Sequence, residues 1–213
     1  MIKAAIFDLD GVIVDTAHYH FLAWQRLAKE LGVDLTEKIN EKLKGVSRLQ
    51  SLQIILDLGK IEIDKEKKES LAERKNEWFC EYINSMKPEE IFPGVKQLIT
   101  AIRKKGIKIA LASSSKNAPR VIELLGIQDL FDALVDGSMI IDTKPDPEIF
   151  MLTAQKLNVA PKDCVVFEDA EAGVEAAIRA GMKVVGVGSE NLSKANKVVA
   201  RTADFKPEDL NSL

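Results

Sequence analysis

Short apolar runs rich in Val, Ile and Ala alternate along this chain with longer stretches in which apolar residues recur every three or four positions. That alternation predicts strands separated by amphipathic helices. The strands fall at residues 4–7, 107–112, 133–135, 164–167 and 184–187, and helical spacing holds over residues 95–105, 118–125, 147–157 and 172–180. The strand runs are continuously apolar rather than alternating, the mark of strands covered on both faces in a parallel sheet.

One interval departs from this rhythm. Between residues 16 and 86 no strand pattern occurs, only helical spacing at 19–31, 35–43, 49–58 and 64–86. Lys87-Pro88 and Phe92-Pro93-Gly94 punctuate the return to the strand–helix alternation. The expected fold is therefore α/β: a Rossmann-like parallel-sheet core domain formed by residues 1–15 and 88–213, with an inserted all-helical cap domain at 16–87. The charge-dense run 64–77 reads as a solvated helix face with i,i+4 pairs. Beyond Asn191 a closing strand at 203–205 and a short helix at 207–210 are expected.

Composition narrows the range of partners. The 213 residues carry 30 Lys+Arg against 33 Asp+Glu, a net charge of -3, which argues against broad affinity for nucleic acid or an anionic membrane. Phosphate binding, if present, must be local. No apolar run reaches the roughly 18 residues of a membrane span, and acids stand near the N-terminus where a signal peptide would carry bases. A cytoplasmic monomer acting on a small molecule is expected. Cys80 and Cys164 lie far apart and read as reduced, buried thiols.

Candidate chemistry collects where the strands end. Open α/β sheets bind ligands beyond the carboxyl ends of their strands. Asp8-Leu9-Asp10-Gly11 follows the first strand, Ser113 to Asn117 the second, and Glu168-Asp169 the fourth; Asp142-Thr143-Lys144-Pro145-Asp146 lies close to the end of the remaining central candidate. Asp8, Asp10 and Asp15 crowd one loop, and like charges so close are tolerable only with a cation or a proton among them. Asp8, Glu168 and Asp169 offer the hard oxygen ligands that suit Mg²⁺. The Ser113 hydroxyl and the Lys144 ammonium suit the oxygens of a phosphoryl group in transfer. An ionised carboxylate in such company can attack phosphorus. Asp10, two residues on, would share its side of an extended backbone with Asp8 and serve as general acid and base.

Each segment alone has a plainer reading. Asp10-Gly11 is a turn signal, Glu168-Asp169 caps helices, Lys144-Pro145 suits a surface turn, and Ser113 to Asn117 suits a helix start. Their joint occurrence at strand ends favours chemistry. His18 and His20 stand two apart, the wrong spacing for a metal pair on one helix face, and neither H-E-x-x-H nor the G-x-x-x-x-G-K-[ST] loop occurs.

F-D-L-D-G-V, L-A-S-S-S-K-N, K-P-D-P and F-E-D-A-E-A-G, in this order around a helical insertion, resemble the four motifs of the haloacid dehalogenase superfamily. The resemblance implies Asp8 as a phosphorylated nucleophile and Asp10 as general acid and base. It implies Ser113 and Lys144 as phosphoryl ligands, and Glu168 and Asp169 as carboxylates of a magnesium site to which Asp10 adds its backbone carbonyl. Within the insertion, D-T-A-H-Y-H and L-K-G-V-S-R-L-Q-S-L resemble the cap of the β-phosphoglucomutase subgroup. That likeness assigns Thr16 to a hinge and Gly45 and Val46 to a sugar ring. Arg48 would take a second phosphate, and Lys44 and His20 would bridge to Asp10. Ser51 belongs to the same stretch, Lys75 and Asn76 also match the subgroup, and Ser115, Lys116 and Asn117 would serve the distal phosphate. The implied activity interconverts β-D-glucose 1-phosphate and glucose 6-phosphate through an aspartyl phosphate and β-glucose 1,6-bisphosphate; a sugar-phosphate phosphatase is the alternative on the same scaffold.

Overall fold

The computed structural model describes all residues except 41–42, 44–46 and 189–191. The chain forms two compact units, one made of Met1–Asp15 and Lys87–Leu213, the other of Thr16–Met86. Lys87 joins the first because its backbone N–H and C=O bond to Glu90, closing the short 3-10 turn at Pro88–Glu90.

The first unit is built on a parallel sheet. Among the described residues its strands are β1 (Ala4–Phe7), β2 (Lys108–Ala112), β3 (Ala133–Val135), β4 (Cys164–Glu168), β5 (Lys183–Val187) and β6 (Lys197–Val199). Their order across the sheet is β3-β2-β1-β4-β5-β6, every neighbouring pair parallel. The order reverses between β1 and β4, which makes the carboxyl ends of those two strands the expected ligand crevice. Helices α7 (Glu148–Leu157) and α8 (Glu171–Arg179) bury Ile149, Phe150, Ala154, Val174 and Ala177 in one core cluster with Ile6 and Val166 of the sheet. Helix α5 (Val95–Lys104) packs on β2 and buries Val95, Leu98, Ile99 and Ile102, one residue of each helical turn or its neighbour. A further helix, α6 (Ala118–Leu124), follows β2.

Pairing register matters at the centre. Phe7 on β1 stands opposite Phe167 on β4, and their rings stack 4.4 Å apart with planes 9° from parallel. Phe205 meets Phe167 edge-on at 5.0 Å. The residues that follow these two phenylalanines, Asp8 and Glu168, therefore leave the sheet side by side from a rigid apolar base.

The closing strand and the place of β3 differ from the sequence pattern. Residues 203–205 do not form the closing strand; Thr202–Asp204 is a 3-10 turn locked by Arg201, whose guanidinium and backbone N–H all donate to the Asp204 carboxylate, and the sixth strand is Lys197–Val199. Three residues are too few to show a period. Residues 207–211 form a 3-10 helix begun by Pro207. β3 also lies at the sheet edge rather than in its centre.

The second unit contains α1 (Ala17–Glu30), α2 (Glu37–Asn40), α3 (Arg48–Gly59) and α4 (Lys65–Ile83), with α1 and α3 both packed on α4. Its core is Trp24, Leu27, Leu52, Ile55, Phe79 and Ile83. Ser47 starts α3 through a reciprocal box: Gln50 N–H donates to Ser47 Oγ, and Ser47 N–H to Gln50 Oε1. Asp64 caps α4 by accepting from Lys67 N–H. Most of the charged run is solvated, with Lys65 and Glu69 paired at i,i+4, but Lys75 is only 2% exposed.

Candidate active site

Asp8 follows β1 and donates its backbone N–H to Phe167 O, so the loop begins still tied to β4. Glu168 is the last residue of β4. Both carboxylates are buried, and Lys144 joins them, donating from Nζ to Asp8 Oδ1 at 2.7 Å and to Glu168 Oε2 at 2.8 Å. The more exposed Asp169 completes the group: one carboxylate oxygen from each of Asp8, Glu168 and Asp169 lies within 4.8 Å of the others.

Three carboxylates gather here, and two of them, Asp8 and Glu168, share the Lys144 ammonium. Burial pushes the Glu168 carboxyl up in pKa; the Lys144 ammonium opposes that, while the charges of Asp8 and Asp169 add to it. For Lys144, burial alone would favour the neutral amine, but Asp8 and Glu168 outweigh it and hold the group protonated. The remaining excess of negative charge, in hard oxygen donors a few ångströms apart, fits a divalent cation such as Mg²⁺.

Two glycines make the clustering possible. A Cβ on Gly173, in the first turn of α8, would lie 2.0 Å from Glu168 Cδ. At Gly11, whose φ is +73°, a Cβ would lie 2.0 Å from Asp169 Oδ2. The acids therefore occupy space that only glycine leaves open. Lys144 arrives from further away. It sits nine residues beyond β3, before a cis peptide bond to Pro145, on a loop anchored to α7: Glu148 Oε2 accepts from the N–H groups of Ile141 and Asp142. The Phe150 ring lies 5.1 Å from its Nζ.

Ser113 is buried at the end of β2, where its N–H donates to Val135 O and its Oγ accepts from Ser115 N–H. Ser115 and Asn117 are half-buried on the same loop, Lys116 is exposed, and Asn117 N–H donates to Ser115 Oγ. Asp10 is partly buried between Asp8 and Gly11, in a loop closed by Gly11 N–H donating to Val14 O. Its side chain is not one of the clustered carboxylates, and the resemblance gives the metal its backbone carbonyl instead.

Asp136 went unsuspected from sequence. It is a buried carboxylate directly after β3 whose Oδ1 accepts from both N–H and Oγ–H of Ser138. Neighbouring Gly137 lies so close to the Ser113–Ser115 loop that a Cβ there would be 2.0 Å from Ser114 O. A lone Asp-Gly after a three-residue strand carries the same signal as any turn.

In the helical unit, His20 and Lys75 meet, with Lys75 Nζ 2.7 Å from His20 Nδ1. The His20 ring stacks on Phe79 at 4.0 Å, and the Lys75 head lies 4.5 Å from the Trp24 ring centre. Burial, and then the charge of Arg48, lower Lys75 from 10.5 to about 7. Burial, followed by Lys75 and Arg48, holds His20 well below its usual range. Arg48 donates to Glu73 and Asn76. Ser51 is buried and donates from Oγ to Leu43 O, and Thr16 is buried just ahead of α1, its carbonyl accepting from His20 N–H. Lys44, Gly45 and Val46 lie outside the described residues.

Comparison with known proteins shows the family and supports the fold. The haloacid dehalogenase-like hydrolase family matches residues 2–181. The chain is 45% identical over 212 residues to the β-phosphoglucomutase of Bacillus subtilis, covering 98% of this chain and 94% of that protein. It is 36% identical over 213 residues to a phosphorylated carbohydrates phosphatase of Thermotoga maritima, covering 98% and 96%. A crystal structure of β-phosphoglucomutase from Clostridium difficile superposes with a TM-score of 0.94 at 46% identity, covering 100% of this chain and 96% of that one.

Proposed function

Because this chain belongs to the haloacid dehalogenase-like hydrolases, we propose that its strand-end carboxylates carry out phosphoryl transfer on a hexose phosphate. The reaction is the interconversion of β-D-glucose 1-phosphate and glucose 6-phosphate, the phosphomutase activity for which the Bacillus subtilis relative and the Clostridium difficile structure are named. The observation that carries it is the pairing of Lys144 with both Asp8 and Glu168, which holds a nucleophilic carboxylate and a phosphate-neutralising ammonium within one hydrogen bond of each other.

In the proposed cycle Asp8 carries the phosphoryl group. The 6-hydroxyl of β-glucose 1-phosphate attacks phosphorus; the bond from phosphorus to the Asp8 oxygen breaks, the bond to O6 forms, and Asp10 takes the hydroxyl proton. The β-glucose 1,6-bisphosphate so formed turns over. Asp8 then attacks the phosphorus on O1, the P–O1 bond breaks, and Asp10 returns the proton to O1, leaving glucose 6-phosphate. Lys144 and Ser113 neutralise the oxygens of the phosphoryl group in transit. Asp8, Glu168, Asp169 and the Asp10 carbonyl would hold Mg²⁺, which supplies Lewis-acid stabilisation of the same oxygens. By the family resemblance, Arg48 would take the second phosphate, Lys44, Lys75 and Ser51 would bind the substrate, Gly45 and Val46 would line the sugar ring, His20 would assist the proton transfer, and Ser115, Lys116 and Asn117 would serve the distal phosphate.

The test is a product assay. Purified protein with β-glucose 1-phosphate, Mg²⁺ and a trace of β-glucose 1,6-bisphosphate should yield glucose 6-phosphate with little free phosphate. Stoichiometric release of inorganic phosphate would instead identify a sugar-phosphate phosphatase.

A further inference from the structure

The proposed role of Arg48 leaves one of its partners unexplained. Arg48 is the first residue of α3, and its side chain is 28% exposed. NH1 donates to Glu73 Oε2 at 3.1 Å and NH2 to Asn76 Oδ1 at 2.8 Å. Asn76 in turn donates from Nδ2 to Glu73 Oε1 at 3.4 Å. Glu73 and Asn76 lie three residues apart on α4, so one helix face presents an amide and a carboxylate to the same guanidinium.

These two partners are not equivalent toward an incoming phosphate. Asn76 is neutral and can aim the guanidinium without competing for its charge. Glu73 is an anion that takes up a guanidinium donor in the way a phosphate oxygen would, and at 64% exposure its carboxylate can return to water when displaced. A guanidinium has five N–H donors, so neither contact exhausts it, but the nearby negative charge opposes a phosphate dianion while it remains.

Resting on the reading of Arg48 as a phosphate ligand, we propose that Glu73 is a positioning residue that competes with the substrate's second phosphate for Arg48 and so keeps that grip loose. A mutase needs such looseness. The bisphosphate intermediate must let go of one site and return with its ends exchanged, which a charged fork with no competing anion would slow. Glu73 supplies an anion that re-forms its bond to Arg48 as the phosphate departs. Its contribution is limited by its exposure, since exposed ion pairs change affinities by about two- to fivefold.

Calorimetric titration of glucose 6-phosphate into the wild type and the Glu73→Gln, Glu73→Ala, Arg48→Ala and Arg48→Ala/Glu73→Ala variants tests this. Both Glu73 variants should bind about two- to fivefold more tightly than the wild type, with the gain shrinking as salt rises. In the Arg48→Ala background the Glu73 change should have no effect. The KM for β-glucose 1,6-bisphosphate should fall by a similar factor in Glu73→Gln, without a rise in kcat. Equal or weaker binding by the Glu73 variants, while Arg48→Ala binds poorly, would overturn the competition and leave the role of Arg48 standing. Unaltered binding by Arg48→Ala would overturn both.

Discussion

Lys144 Nζ stands 2.7 Å from Asp8 Oδ1 although 136 residues separate the two in the chain. The fold brings them together, and the bond to Glu168 makes Lys144 the shared counter-ion of two buried carboxylates. Lys144→Met keeps the side-chain volume and removes the charge, leaving both acids uncompensated. Loss of one partner of a buried ion pair typically costs about 3–5 kcal/mol. Urea unfolding should show a loss of this size without magnesium and a smaller one with it, because a divalent cation would offset the same excess charge. Undiminished stability would mean that the acids are relieved in some other way.

The acid cluster depends on the absence of a single methyl group. In Gly173→Ala the new Cβ would fall 2.0 Å from Glu168 Cδ, and the carboxylate would have to move. Groups that orient metal ligands typically matter by about 10- to 100-fold in metal affinity. The half-saturating magnesium concentration for activity should therefore rise by about that factor in Gly173→Ala, with saturation restoring part of the rate. An unaltered magnesium dependence would separate Glu168 from the metal.

As the proposed ligand of the phosphate that is not being transferred, Arg48 would matter for β-glucose 1-phosphate, whose phosphate lies away from the reacting hydroxyl, and not for a small aryl phosphate, whose one phosphate is the reacting one. Removing a hydrogen bond to a charged group costs about 1.5–3 kcal/mol, or about 10- to 100-fold. Arg48→Ala should lower kcat/KM for β-glucose 1-phosphate by at least that much, while the slow hydrolysis of a small aryl phosphate changes little. Equal losses on both substrates would place Arg48 with the reacting phosphate.

Lys75 should make the stability of the protein pH-dependent. Its folded pKa, about 7, lies below the ordinary 10.5, so the unfolded chain binds more protons between those values and stability rises with pH across that window. Lys75→Met removes this dependence. Its urea midpoint should exceed that of the wild type by the widest margin at and below about pH 7, and the two should converge toward pH 10.5. A gap that widens as pH rises would show that Lys75 is charged in the folded protein.

Much of this was legible in the chain because strands in a parallel sheet are continuously apolar and the candidate site residues come directly after them. Asp8, Ser113 and Glu168 each follow or end a strand the pattern predicts. Lys144 fits less well: its position depends on the loop of residues 136–147, anchored by Glu148, which no periodicity reveals. Gly11 and Gly173 read as a bend and as a motif letter, whereas their function is to leave room for acids remote in sequence. Lys75 stood in a run that looked solvated. Its burial arises from α1 and α4 closing Trp24, His20 and Phe79 around it, a tertiary effect that charge patterning along one helix cannot register. The strand Lys197–Val199 was too short to stand out, and the Arg201–Asp204 lock turned the more promising stretch after it into a 3-10 turn.

In the proposed cycle Asp8 itself carries the phosphoryl group, and that bond can be detected directly. Protein mixed with β-glucose 1,6-bisphosphate and Mg²⁺, quenched in acid and mapped by peptide mass spectrometry, should show one phosphoryl group on the N-terminal peptide at Asp8 and none in the Asp8→Asn variant. Phosphorylation at another residue, or turnover to glucose 6-phosphate by Asp8→Asn at the wild-type rate, would contradict it.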